Sequence, residues 1–100
     1  VEISPSEISY IDTYAWTLYR NRKYKAAQVQ MDEVINVIEN SEKLTAPDAT
    51  TAGYYDRAGD IYAALGRRKK AVDYWKRALQ FSDDAALNKR LYRKLKHRRG

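Results

Sequence analysis

Cysteine is absent from this chain of 100 residues, and proline, glycine and histidine are scarce. Without cysteine there is no disulfide framework and no thiolate metal site, and the absence fits a reducing or an oxidising compartment. Two prolines and four glycines are too few for a turn-rich β-sandwich. No apolar run approaches the ~20 residues that span a bilayer, and the N-terminus does not resemble a secretory signal. We expect a soluble protein, and its compartment, cytoplasm or periplasm, stays open.

Sequence patterns typical of catalysis are missing as well. The single histidine, His97, lies in a basic tail, and no nucleophile has a suitable base beside it. There is no glycine-rich phosphate loop and no metal-ligand spacing of histidine and carboxylates. Two carboxylates one helical turn apart, Asp56 and Asp60, would lie on an open surface, without the burial that tunes acidity. The sequence therefore predicts that the protein is not an enzyme and holds no metal or cofactor.

The sequence is rich in helical periodicity. Ala, Leu, Lys, Arg and Tyr recur in runs whose apolar positions are three and four residues apart. With 44% hydrophobic residues the chain can build one core, so we predict a single all-α domain. The expected helices span residues 5–20, 24–43, 48–65, 68–81 and 83–97. The second would be longer than its neighbours, and Ser82 is expected to cap the fifth.

The first two predicted helices are repeated by the next two. A shift of 44 residues places Ala15 on Gly59 and Ala27 on Ala71. Small residues at these positions allow two antiparallel helices to approach closely. The repeat therefore predicts two helix hairpins, each with small residues at its crossing. The predicted core consists of Ala15, Ala27, Gly59, Ala71, Trp75 and Ala78.

The second unit carries a family motif. In YYDRAGDIYAALGRRKKAVDYWKRALQF the order is aromatic, small residue and glycine, aromatic, glycine turn, alanine, aromatic and alanine. These positions are Tyr55, Ala58, Gly59, Tyr62, Gly66, Ala71, Trp75 and Ala78. The segment resembles a tetratricopeptide repeat, and YIDTYAWTLYRNRKYKAA is a weaker copy with Arg22 where glycine is usual. The family period is about 34 residues, so this chain has about ten extra residues between its units.

The resemblance implies a right-handed α-α superhelix of two helix hairpins followed by a capping helix. Repeat one would cover residues 9–43, repeat two residues 52–82 and the capping helix residues 83–97. Because the chain begins with Val rather than Met, we expect a mature product or a piece excised from a longer protein. The resemblance implies that this piece is the C-terminal repeats of a bacterial protein.

The resemblance also implies a function, because tetratricopeptide repeats hold peptides or partner segments in a concave groove. By matching positions, the groove would be lined by Asp12, Trp16, Tyr19, Arg20, Asp56 and Asp60, with Ser9, Gly53, Ala63 and Ala64 beside them. Trp16 would be a rigid aromatic anchor. Two plainer interpretations stay open: Asp56 and Asp60 lie on a merely solvated face, or an upstream helix covers Trp16. The lysine and asparagine of members that clamp chaperone tails are not present at these positions, so that activity is not expected.

Basic residues are concentrated in the second half of the chain. Residues 1–50 carry 5 basic and 8 acidic groups, a net charge of −3, and residues 51–100 carry 14 and 5, a net charge of +9. Alternating helices should collect a basic edge, made of Arg20, Arg22, Lys23, Lys25, Arg67, Arg68, Lys69, Lys70, Lys94, Lys96, Arg98 and Arg99. Complementarity to helix dipoles explains part of this sorting, but not Lys69 and Lys70 in a first turn.

Two further partners are compatible with the sequence. The basic edge would attract nucleic acid or an anionic membrane surface, although no nucleic-acid recognition motif is present. Partner proteins with acidic surfaces fit the same charge. An exposed first helix would also allow two copies of the chain to form a homodimer.

Overall fold

Short turns divide the chain into five helices. The computed structural model describes residues 5–40 and 49–96. The helices are α1 (Pro5–Arg20), α2 (Tyr24–Glu39), α3 (Ala49–Ala64), α4 (Arg68–Phe81) and α5 (Ala85–Lys96). Within these ranges there is no strand, so the all-α prediction is confirmed. None of the helices in the described ranges is long and apolar enough to cross a membrane.

Helix α2 is shorter than the periodicity predicted. It ends at Glu39, and the next residue, Asn40, donates to the Asn36 carbonyl both from its backbone N–H at 3.2 Å and from its side-chain amide at 2.7 Å. Helices α1, α2 and α3 each contain 16 residues, so the expectation of a longer second helix is wrong. Residues 41–43, the rest of the predicted helix, lie outside the described ranges.

The first turn of α5 is capped by a different residue from the one predicted. The Asp84 carboxylate accepts a hydrogen bond from the Ala86 N–H at 3.0 Å, which is the geometry of an N-cap. The Ser82 hydroxyl accepts from the Asp84 N–H at 3.1 Å. Ser82 therefore orders the residue that caps the helix rather than the helix itself.

Each helix packs on the next one along the chain, and α1 also contacts α3. The hydroxyl of Tyr55, early in α3, donates to Glu39 at the end of α2 at 3.0 Å. The hydroxyl of Tyr62, late in α3, donates to Asp32 in the middle of α2 at 2.6 Å. These pairs show that α2 and α3 run antiparallel.

Small residues are buried at the positions where the repeat predicted helix crossings. Where α3 crosses α4, a Cβ placed on Gly59 would lie 2.3 Å from Nε1 of Trp75. Such a separation leaves no room for any side chain at this position. All six predicted core residues are buried: Ala15, Ala27, Gly59, Ala71, Trp75 and Ala78.

The turns after α1 and α3 have the same geometry. Arg22 has φ 63° and Gly66 has φ 78°, so each turn contains one residue in the left-handed conformation. In both turns the N–H of the next residue donates at 2.9 Å to the carbonyl five positions earlier. This is the Schellman arrangement that ends helices, and it repeats with the same offset of 44 residues.

Candidate functional site

Asp12 joins α1 to α3 instead of standing open to a ligand. Its side chain is nearly buried and forms an ion pair with Arg57. One carboxylate oxygen, Oδ1, is buried without a hydrogen-bond partner among the described residues. Burial raises the pKa of Asp12, and the neighbouring Arg57 guanidinium opposes that rise. Asp12 therefore fixes the two helices side by side.

Beside this ion pair lies an aromatic stack. The rings of Trp16 and Tyr19 are 4.6 Å apart between centroids and 15° from parallel. The guanidinium carbon of Arg57 lies 5.1 Å from the centre of the Trp16 ring, and Tyr24 tilts against Tyr19 with centroids 5.5 Å apart. Arg57 and Tyr19 thus cover the face of the indole. Trp16 and Tyr19 are both only half-buried, so parts of both rings face solvent.

Asp56 and Asp60 hold a lysine from the last helix. The Lys94 ammonium lies 2.7 Å from Asp56 Oδ1 and 3.0 Å from Asp60 Oδ1. Asp60 also accepts a hydrogen bond from the indole N–H of Trp75 at 3.2 Å. These contacts attach α5 to α3. They also neutralise one of the two negative charges.

Burial and charge shift the pKa values within this cluster. Burial raises the pKa of Asp60, Lys94 lowers it and Asp56 raises it further. Burial alone would lower the pKa of Lys94, but its hydrogen bond to Asp56 and the charge of Asp60 raise it overall. The pKa of the Tyr19 hydroxyl is raised by burial and by the nearby charge of Asp60. The negative charges of Asp56 and Asp60 therefore act on the Tyr19 hydroxyl.

The structure brings most of the predicted groove residues into one connected surface, which we call the groove face. Its members, from α1, α3 and α5, are Asp12, Trp16, Tyr19, Asp56, Arg57, Asp60 and Lys94. Arg20 is exposed, and no ion pair or ring contact joins it to these residues in the described part of the chain. Ser9 and Ala64 are exposed, whereas Gly53 and Ala63 are half-buried.

Sequence reasoning missed two members of the groove face. Arg57 directly follows Asp56, which is the repeat counterpart of Asp12. Successive side chains of a helix point in different directions, and that of Arg57 points toward α1, where it pairs with Asp12. Knowing that α1 and α3 are neighbours would have been enough to find it. The charge pattern predicts Lys94 on the basic edge, and only the packing of α5 shows that it reaches the acids of α3.

Several residues of the predicted basic edge contact other side chains of the same chain. Lys94 is paired with acids, and the charged groups of Arg67 and Lys70 lie 5.6 Å and 5.4 Å from the centre of the Tyr62 ring. Arg68 is half-buried, and Arg98 and Arg99 lie outside the described residues. The exposed members of the predicted edge, among the described residues, are Arg20, Arg22, Lys23, Lys25, Arg67, Lys69, Lys70 and Lys96.

Neither a group of metal ligands in the described part of the chain nor similarity to known proteins indicates a function. Within residues 5–40 and 49–96, no three acidic or histidine side chains are grouped to hold a metal ion. Comparison with protein-family models, with curated proteins and with solved structures gives no significant match. Function must therefore be inferred from the geometry of the groove face and from the internal repeat.

Proposed function

We propose that this protein is a non-catalytic interaction scaffold that binds an extended peptide or partner segment on the groove face. The same proposal takes the fold as the right-handed superhelix of tetratricopeptide repeats. Its supports are the repeat of 44 residues, the two matching left-handed turns and the small-residue crossings. The parallel placement of α1 beside α3 would then form the inner surface of the superhelix.

The stack of Trp16 on Tyr19 carries the functional proposal. Large aromatic side chains that are already held rigid offer contact area at little cost in conformational entropy. Here Tyr19 from the same helix and Arg57 from α3 both hold the indole in place, while part of the ring stays exposed to solvent. A partner side chain can pack against this fixed ring edge without first ordering it.

The surrounding charges favour a peptide with a basic group. Asp56 and Asp60 contribute two negative charges, and Lys94 contributes one positive charge. Asp12 and Arg57 cancel each other. The groove face therefore keeps a net negative charge in a chain whose formal charge is +6. A lysine or arginine of the partner, placed beside an apolar residue, would match this pattern.

Nucleic acid on the basic edge is the alternative proposal, and it has less support. Single-stranded nucleic acid binds by stacking bases on free aromatic faces beside Lys and Arg. The face of Trp16 is taken by Tyr19 and Arg57, and the ring of Tyr62 lies beneath Arg67 and Lys70. The exposed lysine and arginine side chains of the two turns remain able to contact phosphates without sequence preference.

A catalytic role is not proposed, because the carboxylates of the groove face already have partners. Asp12 is paired with Arg57, and both Asp56 and Asp60 contact Lys94. A general acid or base needs a proton that can be exchanged with substrate, whereas these oxygens hold neighbouring cations. Their geometry is that of helix-to-helix attachment.

Selection from a phage-displayed library of random peptides tests the proposal, because it samples many candidate ligands at once. Peptides enriched on the immobilised wild type are synthesised and titrated against Trp16→Ala. We expect selected sequences with a basic residue near an apolar one, and at least about tenfold weaker binding to the variant. Thermal melts of both proteins show whether the variant is folded.

Tyr10→Ala is the matched control, because it removes an exposed aromatic ring from the same helix outside the groove face. It should leave peptide affinity unchanged. Equal binding of the peptides to wild type and to Trp16→Ala contradicts the groove. Labelled single-stranded oligonucleotides are titrated in parallel, and tight, strongly salt-dependent binding that Trp16→Ala leaves intact would favour the basic edge instead.

A further inference from the structure

Helix α1 exposes a face that its repeat counterpart buries. Tyr54 and Ala58 of α3 are 9% and 0% exposed. Their counterparts 44 residues earlier, Tyr10 and Tyr14, are 76% and 50% exposed. Helix α3 packs on α2, the helix before it, which runs antiparallel to it. Among the described residues no helix precedes α1, and its neighbours are α2 and α3.

The exposed face has the spacing of a helix-packing seam. Glu7, Tyr10, Tyr14 and Thr17 follow one another at intervals of three, four and three residues, the a/d pattern of paired helices. All four are exposed. Two tyrosines in the centre of such a seam provide apolar area together with hydroxyls that tolerate water. We call these four residues the α1 seam.

Charge makes the α1 seam suited to a second copy of the same chain. No basic residue precedes Arg20, although the whole chain carries 19 of them. Copies with a formal charge of +6 repel one another over most of their surface, and the α1 seam is free of cations. The helix is acidic in its first turn, at Glu7, and basic in its last, at Arg20. An antiparallel pair of α1 helices therefore brings unlike ends together.

We propose that two copies of this protein associate about a twofold axis through antiparallel packing of their α1 seams. The partner's α1 then covers the seam, whose counterparts in α3, Tyr54 and Ala58, are buried. Such an interface is isologous and closed, so it yields a dimer and not a filament. It leaves the groove face on another side of α1, so it does not depend on the proposed function.

The interface is small, and its affinity should be correspondingly modest. One pair of helices buries less than the ~800 Å² per partner of a standard protein interface, so we expect a dissociation constant on the order of 100 μM. Association must therefore be sought at high protein concentration. It should also strengthen as salt screens the net positive charge of the two copies.

Sedimentation equilibrium from about 10 μM to about 1 mM tests the dimer directly. The wild-type mass should rise toward twice that of the monomer, and Tyr14→Lys should weaken association at least about tenfold. Tyr92→Lys is the matched control, since Tyr92 is 61% exposed on α5 and the change in charge is identical. It should associate as the wild type does. Tyr10→Lys provides a second seam variant if Tyr14→Lys does not fold.

Two results would overturn the proposal. One is a wild-type mass that stays monomeric over the whole concentration range, which would leave the α1 seam to a different partner. The other is a loss of association in Tyr92→Lys equal to that in Tyr14→Lys, which would show that added charge alone prevents contact. Trp16→Ala should dimerise normally, so failure of the groove proposal and failure of the dimer can be told apart.

Discussion

Gly59 lies so close to Trp75 that the two residues set the distance between α3 and α4. A Cβ at Gly59 would be 2.3 Å from Nε1 and 2.4 Å from Cδ1 of the indole, far inside van der Waals contact. The indole cannot withdraw freely, because it is 5% exposed and its N–H donates to Asp60. Helix spacing in the second unit therefore depends on the absence of a side chain at this position.

Gly59→Ala should lower the free energy of unfolding by about 3 kcal/mol, and Gly59→Leu should prevent folding, because an overpacked crossing has to separate. Urea unfolding followed by circular dichroism measures both changes. Gly53→Ala in the same helix is the control, since a Cβ there meets nothing within 4 Å. That change should raise stability by about 0.5 to 1 kcal/mol, because alanine favours a helix more than glycine does. A Gly59→Leu melt equal to that of the wild type would refute the hairpin.

Arg22 occupies a conformation that suits glycine. Its φ of 63° is left-handed, and its repeat counterpart is Gly66 with φ 78°. A side chain in this region costs roughly 1 kcal/mol, so Arg22→Gly should stabilise the protein by about that amount. Lys23→Gly is the control: Lys23 has φ −93°, so the same loss of one positive charge there should destabilise. Thermal melts of the two variants should therefore shift in opposite directions, and a decrease for Arg22→Gly would contradict the strain at this turn.

Sequence reasoning succeeded where neighbouring residues determine the structure. The glycine turn at Gly66, the small residues at the crossings and the number of helices follow from periodicity and from the repeat. It failed at the end of α2, which stops at Glu39 although the sequence pattern predicted a helix to residue 43. Arg22 shows the same limit, since the repeated turn imposes a left-handed conformation on a residue that does not favour it.

The chemistry of the groove face depended on contacts that no local pattern contains. Asp12 and Arg57 are 45 positions apart, and Lys94 lies 34 positions beyond Asp60. Whether such residues meet depends on how each helix is rotated about its own axis. Positions matched through the repeat therefore located the surface, while its pairing of charges became visible only in the packed structure.

Lys94 should anchor α5 through its two carboxylate partners. Its side chain is 28% exposed, and those of Asp56 and Asp60 are 14% and 18% exposed, so the ion pairs are partly shielded from water. Lys94→Ala leaves two like charges side by side without their cation. We expect a loss of about 1 to 3 kcal/mol in the free energy of unfolding at neutral pH. Lys89→Ala, at an exposed position of the same helix, should change it by less than about 0.5 kcal/mol.

The pH dependence of the stability lost in Lys94→Ala distinguishes charge from packing as the cause of the loss. The folded pKa of Asp60 is raised above its ordinary 3.8, so its contribution to stability is complete below that value and is lost as pH rises through the folded pKa. Lys94 lowers the pKa of Asp60, so in Lys94→Ala this pKa rises further and the loss with increasing pH is larger. The gap in stability between wild type and variant should therefore be small near pH 4 and widen toward pH 7. The folded pKa of Lys94 is raised above its ordinary 10.5, so the contribution of Lys94 to stability is complete below 10.5 and is lost as pH rises through the folded pKa. Above pH 10.5 the gap in stability between wild type and variant should therefore narrow again. Urea unfolding of both proteins across this range measures the gap, and a gap independent of pH would show that Lys94 acts through packing and not through charge.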